Sequence, residues 1–471
     1  MIIRPLLGLR AALALIVGIV IGAGIFKAPA MVAGMTGSAE WMFAAWLLGG
    51  VMSLIGALCY AELATAYADT GGDYHFLRRA YGRSTAFLFA WARFAVITTG
   101  SIALLGFVFG DYMTQVLPLP GVNAASGSAL YAGMAILLLS WINLRGLGTG
   151  SATQTCLTII EVCGLLLIVA AALFLPESRA AAPADASAGV PAPSAFGLAM
   201  VFVLLTYGGW NEAAYISAEI RDRKRNMVRA MVLSILIITA LYLLVNWAYW
   251  KGLGTAGMAK SEAIAADLLN VAFGPTGGTL ISVMIAIAAL TSINATMIVG
   301  ARSSQAVGAD WPALAGLAAW DDMRGPTAAL RIQCIAALLL VAIGAWLGSG
   351  FKAMVEFTAP VFWLFFMLSG LSLFVLRAKE PDTERPFKVP FYPLLPLLFC
   401  AMSGYMLWSS LSYVHSQSLG GWNAAWIGVA VLAAGVLALL FLRRFSVADR
   451  ISRPAFSTSS SPPSIPSRRR S

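Results

Sequence analysis

Apolar residues in this chain do not alternate with polar ones at the spacing of a half-buried helix or strand. They come in blocks of about twenty, the length at which a helix crosses hydrocarbon. Twelve blocks predict twelve membrane-spanning helices, over 10–34, 39–67, 85–115, 129–144, 150–175, 195–219, 230–250, 276–306, 328–347, 353–377, 392–413 and 423–443. Pro118 and Pro120 mark the loop ahead of the fourth. The first block has Arg4 and Arg10 before it and Ala28-Pro29-Ala30 behind it, the outline of a signal peptide. It is too long for one, and more blocks follow, so it reads as a retained span. An Ala/Pro/Ser-rich stretch over 177–194 predicts a linker between two halves. Beyond residue 450 the chain turns to Ser and Pro and ends Arg468-Arg469-Arg470. That composition cannot bury a core, so 451–471 is expected to be a disordered cytoplasmic tail. The expected organisation is one polytopic unit over 1–450, with halves over 10–175 and 195–377 and two further helices over 392–443.

Composition sharpens this picture. Of 471 residues, 59% are hydrophobic and 11% charged, and the mean hydropathy is +0.82. A soluble domain carries about 25% charged residues, so a soluble enzyme, a DNA-binding protein and a disordered scaffold are excluded. The net charge of +10 then records orientation in a lipid bilayer, not affinity for nucleic acid. With the N-terminus cytoplasmic, Arg179, Lys251, Lys260 and Lys352 fall in outer segments, and Lys27 and Arg93 fall within spans. The other 25 of the 31 basic residues fall on the cytoplasmic side. Moving one span in or out would scramble this split. An even number of helices with both termini cytoplasmic is therefore expected, in the plasma membrane or, for a bacterium, the inner membrane. Cys59, Cys156, Cys163, Cys334 and Cys400 all lie in apolar blocks and read as small buried hydrophobes. With only His75 and His415, and no HExxH pattern, no metal site or cofactor is expected.

Two blocks carry the chemistry. The first contains Gly18-Ile19-Val20-Ile21-Gly22-Ala23-Gly24-Ile25-Phe26, and the sixth contains Leu205-Thr206-Tyr207-Gly208-Gly209-Trp210-Asn211. Glycine disfavours a helix by about 1 kcal/mol relative to alanine and lets a ligand approach the backbone. One such segment would signify tight helix packing. Two of them, each in the first helix of a five-helix half, point to an inverted-repeat transporter with its site at the membrane midplane. Unwinding frees amide N–H groups at the start of one half-helix and carbonyls at the end of the other. The amides attract a carboxylate and the carbonyls accept from an ammonium, so the site suits an α-amino acid. Such groups must line a protein-enclosed cavity, because lipid cannot satisfy them.

The same residues resemble a known family. Ile21-Gly22-Ala23-Gly24-Ile25-Phe26 with Pro29 resembles the first-helix signature of the amino acid–polyamine–organocation (APC) superfamily. Cys59-Tyr60-Ala61-Glu62-Leu63, Gly71-Gly72-Asp73-Tyr74 and Tyr81-Gly82 resemble its second helix and following loop. Tyr207-Gly208-Gly209-Trp210-Asn211, with Ala218-Glu219-Ile220 and Arg225-Asn226, is similar to the sixth helix of its L-type amino acid transporter branch. Arg385-Pro386-Phe387-Lys388-Val389-Pro390, with Tyr392-Pro393, resembles the stretch before the eleventh helix. The resemblance implies an all-α membrane protein of twelve transmembrane helices, with a leucine-transporter-type five-plus-five inverted repeat and broken helices one and six. It also implies uptake or exchange of amino acids. Carried over by position, the N–H groups of Ala23, Gly24 and Ile25 face the substrate carboxylate. The carbonyl of Ile21 and that of Leu205 or Gly208 take the amino group. Leu205 stands where the family often has an aromatic gate, and Trp210 and Asn211 border the side-chain pocket. Gly22, Tyr207 and Gly209 complete the two segments.

Ionisable residues within spans are functional candidates by default. They are Lys27, Glu62, Arg93, Glu161, Glu212 and Glu219. Glu62 and Glu219, near cytoplasmic ends, are expected to meet loop arginines. Arg93 needs an acidic partner that the sequence does not identify. Related members often carry a lysine in helix five where this chain has Glu161, and Lys27 follows the first break. Either Lys27 pairs with Glu161, joining helices one and five, or Glu161 takes up and releases a proton during the cycle. Glu212, next to the second break, could select cationic side chains or face a water path. Thr291 and Ser292 could offer hydroxyls to a cation such as sodium, unless they bond back to their own helix.

The expected function is secondary active transport of amino acids by alternating access. Neutral amino acids come first, given Ile25, Leu205 and Trp210, by proton-coupled symport or exchange. Glu212 keeps a cationic amino acid or polyamine antiporter open. A membrane-embedded enzyme would need clustered polar groups near one interface, and Asp321-Asp322 is the nearest approach. No Walker-type phosphate loop occurs.

Overall fold

The computed structural model describes residues 8–69, 71–145, 147–175, 190–319, 326–346, 350–416, 418–419, 422–423 and 430–442. The helices in chain order are α1 (Leu9–Val20), α2 (Ala28–Thr36), α3 (Ala39–Ala66), α4 (Asp73–Tyr81), α5 (Arg83–Ala92), α6 (Thr99–Val116), α7 (Ala124–Arg145), α8 (Leu147–Leu173) and α9 (Pro193–Thr206). Then follow α10 (Arg223–Lys260), α11 (Ile264–Phe273), α12 (Pro275–Asp310), α13 (Ala315–Ala318), α14 (Thr327–Trp346), α15 (Gly350–Lys379), α16 (Leu394–Ser416) and α17 (Ala430–Leu442). Among the described residues the only β element is a two-residue antiparallel pairing of Ser418–Leu419 with Trp422–Asn423.

Nine helices among the described residues are long and apolar enough to cross a membrane, with shorter apolar helices at Ile159–Leu173, α11 and α17. The twelve expected blocks fall on α1 with α2, α3, α5 with α6, α7, α8, α9 with the turn after it, α10, α12, α14, α15, α16 and α17. The expected tail, and the expected linker as far as residue 189, lie outside the described residues. Cys59 and Cys400 are buried as expected, but Cys163 is exposed on the outer face of α8.

Local chemistry sets the helix ends. Pro29 opens α2, where its missing N–H costs nothing, and Gly37 closes it at φ +69°. The Ser38 hydroxyl caps α3 by accepting from the Trp41 N–H at 3.4 Å. The short helix α4 was hidden from the periodicity because it lies off the membrane blocks. Asp73 sits in its first turn and Arg78 and Arg79 in its last, each complementing the dipole at its own end. Between α5 and α6 the helix widens into a π-helical turn over Arg93–Thr98, where the Thr99 hydroxyl donates to the Phe94 carbonyl at 2.8 Å.

Helix α3 packs along α10, α6 sits against both α7 and α12, and α15 lies on α16. Two aromatic groups fill the middle. Trp46, Tyr207 and Tyr242 meet with ring centroids 5.1–6.1 Å apart. Tyr60, Trp210, Phe366 and Phe399 form the second group, with Trp210 5.2 Å from Tyr60 and 5.3 Å from Phe366. Large apolar side chains such as Leu137, Leu138, Trp141, Leu339 and Leu437 are exposed instead of buried, the outward face expected where lipid is the solvent.

Candidate functional site

Both glycine segments interrupt their helices. Helix α1 ends at Val20, the chain extends through Ile21 and Gly22, and a 3-10 turn follows over Ala23–Phe26. Helix α9 ends at Thr206, and the chain turns through Gly208 and Gly209 into a 3-10 segment over Trp210–Glu219. Gly209 adopts φ +109°, a left-handed conformation. The two interruptions touch. A Cβ on Gly209 would lie 3.1 Å from Ile19 Cγ2 and 3.2 Å from the Ile19 carbonyl oxygen, and one on Gly24 would lie 3.2 Å from Thr206 Oγ1.

A single hydroxyl spans both helix ends. Tyr242 Oη of α10 lies 3.0 Å from the Val20 carbonyl oxygen and 3.1 Å from that of Thr206. These are orphan carbonyls of two helix C-termini. A phenol has one proton, so Tyr242 donates to one at a time while holding the pair together. Nothing in the sequence singled it out, because an aromatic in an apolar block looks like core.

Between the interruptions and helices α6, α12 and α15 lies a cavity of about 240 Å³. Of the expected site residues, Gly22, Gly24, Leu205, Gly208, Gly209, Asn211, Glu212 and Ser292 line it. Thr98, Ser101, Thr296 and Thr358 add hydroxyls that no sequence motif marks. The amides that open the turn at Ala23 have no intrahelical acceptor, which suits them to an anion. The Leu205 carbonyl already accepts from the Gly208 N–H at 3.0 Å, and its second lone pair can take another donor.

Other expected residues lie elsewhere. Ile21 and Ile25 are buried in the core. The Tyr207 hydroxyl donates to the Trp46 carbonyl at 3.1 Å. Trp210 packs in the second aromatic group and does not line the cavity. Gly56 admits its ring, since a Cβ there would stand 2.6 Å from the indole. Thr291 bonds back to the Ile287 carbonyl of its own helix at 3.1 Å, whereas the buried Ser292 hydroxyl has no partner among the described residues.

The charged residues sort differently from expectation. Lys27 does not pair with Glu161. Its ammonium lies 3.1 Å from Asp111 Oδ2 and 2.8 Å from the Glu262 carbonyl oxygen, tying the first interruption to the end of α6 and to the segment before α11. Asp111 gave no signal in the sequence because it lies 84 residues away, near the end of a block. Glu161 is 1% exposed, and neither carboxylate oxygen has a partner among the described residues. Arg93 finds its acidic partner in Glu212: Nη2 lies 2.9 Å from each carboxylate oxygen. Glu62 does meet arginines, Arg377 in the last turn of α15 and, at 3.7 Å, Arg385 in the loop after it. It accepts from Arg377 at 2.8 and 2.6 Å and from the Val389 N–H at 2.7 Å. The Glu219 side chain lies outside the described residues.

A buried carboxylate links the far side of the cavity to α4. Asp73 accepts from the Tyr60 hydroxyl, from Ser369 at 2.8 Å and from Tyr215 at 3.4 Å. Burial pushes its pKa up, against the pull of the Tyr60 and Ser369 hydrogen bonds. Tyr215 in turn lies under Arg93, whose guanidinium carbon is 4.6 Å from the ring centroid.

The family model for amino acid permeases matches residues 7–447. The chain belongs to the amino acid permease family. It is 28% identical over 451 residues to the mouse b(0,+)-type amino acid transporter 1, covering 95% of this chain and 90% of that protein. It is 29% identical over 410 residues to the serine/threonine exchanger SteT of Bacillus subtilis strain 168, covering 86% and 91%. It is 29% identical over 421 residues to the mouse large neutral amino acids transporter small subunit 2, covering 86% and 76%. This permease is thus a multi-pass membrane protein of the L-type branch of the APC superfamily. It transports amino acids and is not an enzyme.

Proposed function

We propose that this permease carries neutral amino acids by alternating access, as a proton-coupled symporter or an exchanger. The observation that carries the reading is the cavity between the two interruptions. Among the described residues, its only ionisable lining residues are Arg93 and Glu212, and these neutralise each other. The remaining wall offers backbone and hydroxyl groups, which match a zwitterion with an uncharged side chain. The names of the serine/threonine exchanger and the large neutral amino acids transporter support the same class. A cationic amino acid or polyamine antiporter would need Glu212 free, and Arg93 occupies it.

The rest of the proposal concerns architecture and coupling. The halves over 10–175 and 195–377 form an inverted five-plus-five repeat, supported by an interrupted helix at the start of each. Both termini face the cytoplasm, supported by the loop-charge split. Glu161 is the coupling group. Among the described residues neither oxygen of this buried carboxylate has a partner, and an ionisable group so placed within a membrane helix is a functional candidate by default.

Uptake by the purified protein in proteoliposomes tests both parts. With an amino acid panel, serine, alanine or leucine is expected to accumulate, whereas uptake of lysine or putrescine alone would overturn the neutral reading. In Glu161→Gln, accumulation driven by an inward proton gradient is expected to vanish while counterflow exchange persists. Unchanged pH dependence in that variant would remove Glu161 from coupling.

A further inference from the structure

Among the described residues, the cavity wall carries one cation and one anion, and both sit on irregular backbone. Arg93 opens the π-helical turn of the third membrane helix, and Glu212 lies three residues past Gly209 in the 3-10 segment after α9. One terminal nitrogen of Arg93 serves both Glu212 oxygens at 2.9 Å, which leaves the rest of the guanidinium outside the pair. The Nε of Arg93 is buried and has no partner among the described residues. The ring of Tyr215 covers the guanidinium 4.6 Å away, and Tyr215 is itself tethered to Asp73. The Arg93 side chain is 8% exposed and that of Glu212 18%, so water does little to screen either charge.

We propose that the Arg93–Glu212 pair is the side-chain charge selector of the transport site. The proposal deepens the neutral-substrate reading and rests on it. Selection here works by exclusion as much as by attraction. A lysine or arginine substrate gains Glu212 only by displacing Arg93, which then loses its hydrogen-bonded counter-ion while still buried. An aspartate or glutamate substrate that takes Arg93 strands Glu212 in the same way. Either exchange leaves one uncompensated charge on a largely buried side chain, so both signs are rejected together. An uncharged side chain leaves the pair intact.

The test uses proteoliposomes holding the full-length protein, with radiolabelled L-serine, L-lysine and L-glutamate as probes. Arg93→Met keeps side-chain length and frees Glu212. Its lysine-to-serine uptake ratio is expected to rise on the order of 100-fold, the scale set by one buried charge without its partner. Glu212→Gln frees Arg93, and its glutamate-to-serine ratio is expected to rise instead. Variants that elute as monodisperse protein yet keep the serine-only profile, or admit both charged probes equally, overturn the selector. If the single variants do not fold, the reversed pair Arg93→Glu with Glu212→Arg decides. A restored serine-only profile supports the proposal, and acceptance of charged probes overturns it. Wild-type uptake of lysine in preference to serine would instead overturn the neutral reading, before any variant is compared.

Discussion

Gly209→Val is expected to abolish transport while leaving the protein in the membrane. Gly209 sits at φ +109°, where an L-residue pays about 1–2 kcal/mol and a β-branched one more. Its Cβ would also press on Ile19 Cγ2 at 3.1 Å and the Ile19 carbonyl at 3.2 Å. Relief requires the two interruptions to separate, and their contact sets the distance between amides and carbonyls in the site. A displacement of about 1 Å in such a site can cost on the order of 100-fold in rate. Gly24→Leu is expected to do the same by a different route, since it fills the cavity against Thr206. The control is Gly254→Ala. That glycine also has a positive φ, +66°, but nothing lies within 4 Å of its would-be Cβ. It carries backbone strain without crowding, so uptake should stay near wild type. Normal serine uptake by Gly209→Val or Gly24→Leu would mean that the substrate does not bind between the interruptions.

The parts of this site written in local chemistry could be read from the chain. Glycine density marked both interruptions, because helix loss follows from a residue's own backbone freedom. Apolar block length likewise located the nine helices that, among the described residues, are long and apolar enough to cross a membrane, because bilayer thickness sets their length. Pairings across the bundle were not legible. Lys27 lies 84 residues from Asp111, and Arg93 lies 119 from Glu212. A charge in an apolar block announces that a partner exists without saying where it is. Trp210 illustrates a third limit. Its place beside the second interruption suggested a pocket wall, but the side chain turns toward Gly56 and the Tyr60 ring, a choice fixed by space on another helix. Helix α4 and the Asp73 node lie off the membrane blocks, so hydropathy could not reveal them, although Gly71-Gly72-Asp73-Tyr74 stood among the family motifs.

Glu62→Ala is expected to be strongly destabilising, more so than removal of its partner Arg377. Glu62 is 2% exposed and binds three groups on two segments distant in sequence. The Arg377 guanidinium donates through Nε and Nη2 at 2.8 and 2.6 Å, the Val389 N–H donates at 2.7 Å, and Arg385 Nε lies 3.7 Å away. The carboxylate thereby fastens α3 to the end of α15 and to the strap that leads into α16. Deleting it strands two arginine charges and a buried amide. Breaking a buried pair by removing one partner costs about 3–5 kcal/mol, a large share of the roughly 5–15 kcal/mol that holds a typical domain together. Arg377→Ala should cost less. The carboxylate then keeps Arg385 and the Val389 amide, and Arg385 remains anchored to the carbonyls of Leu376 and Glu380 at 3.1 and 2.8 Å. Thermal unfolding of detergent-purified protein separates the two, with Glu62→Ala melting well below Arg377→Ala. Equal losses would mean that Arg377 alone matters to Glu62. If Glu62→Ala melted like wild type, the strap before α16 would have to be held by its packing, with this ion cluster contributing little.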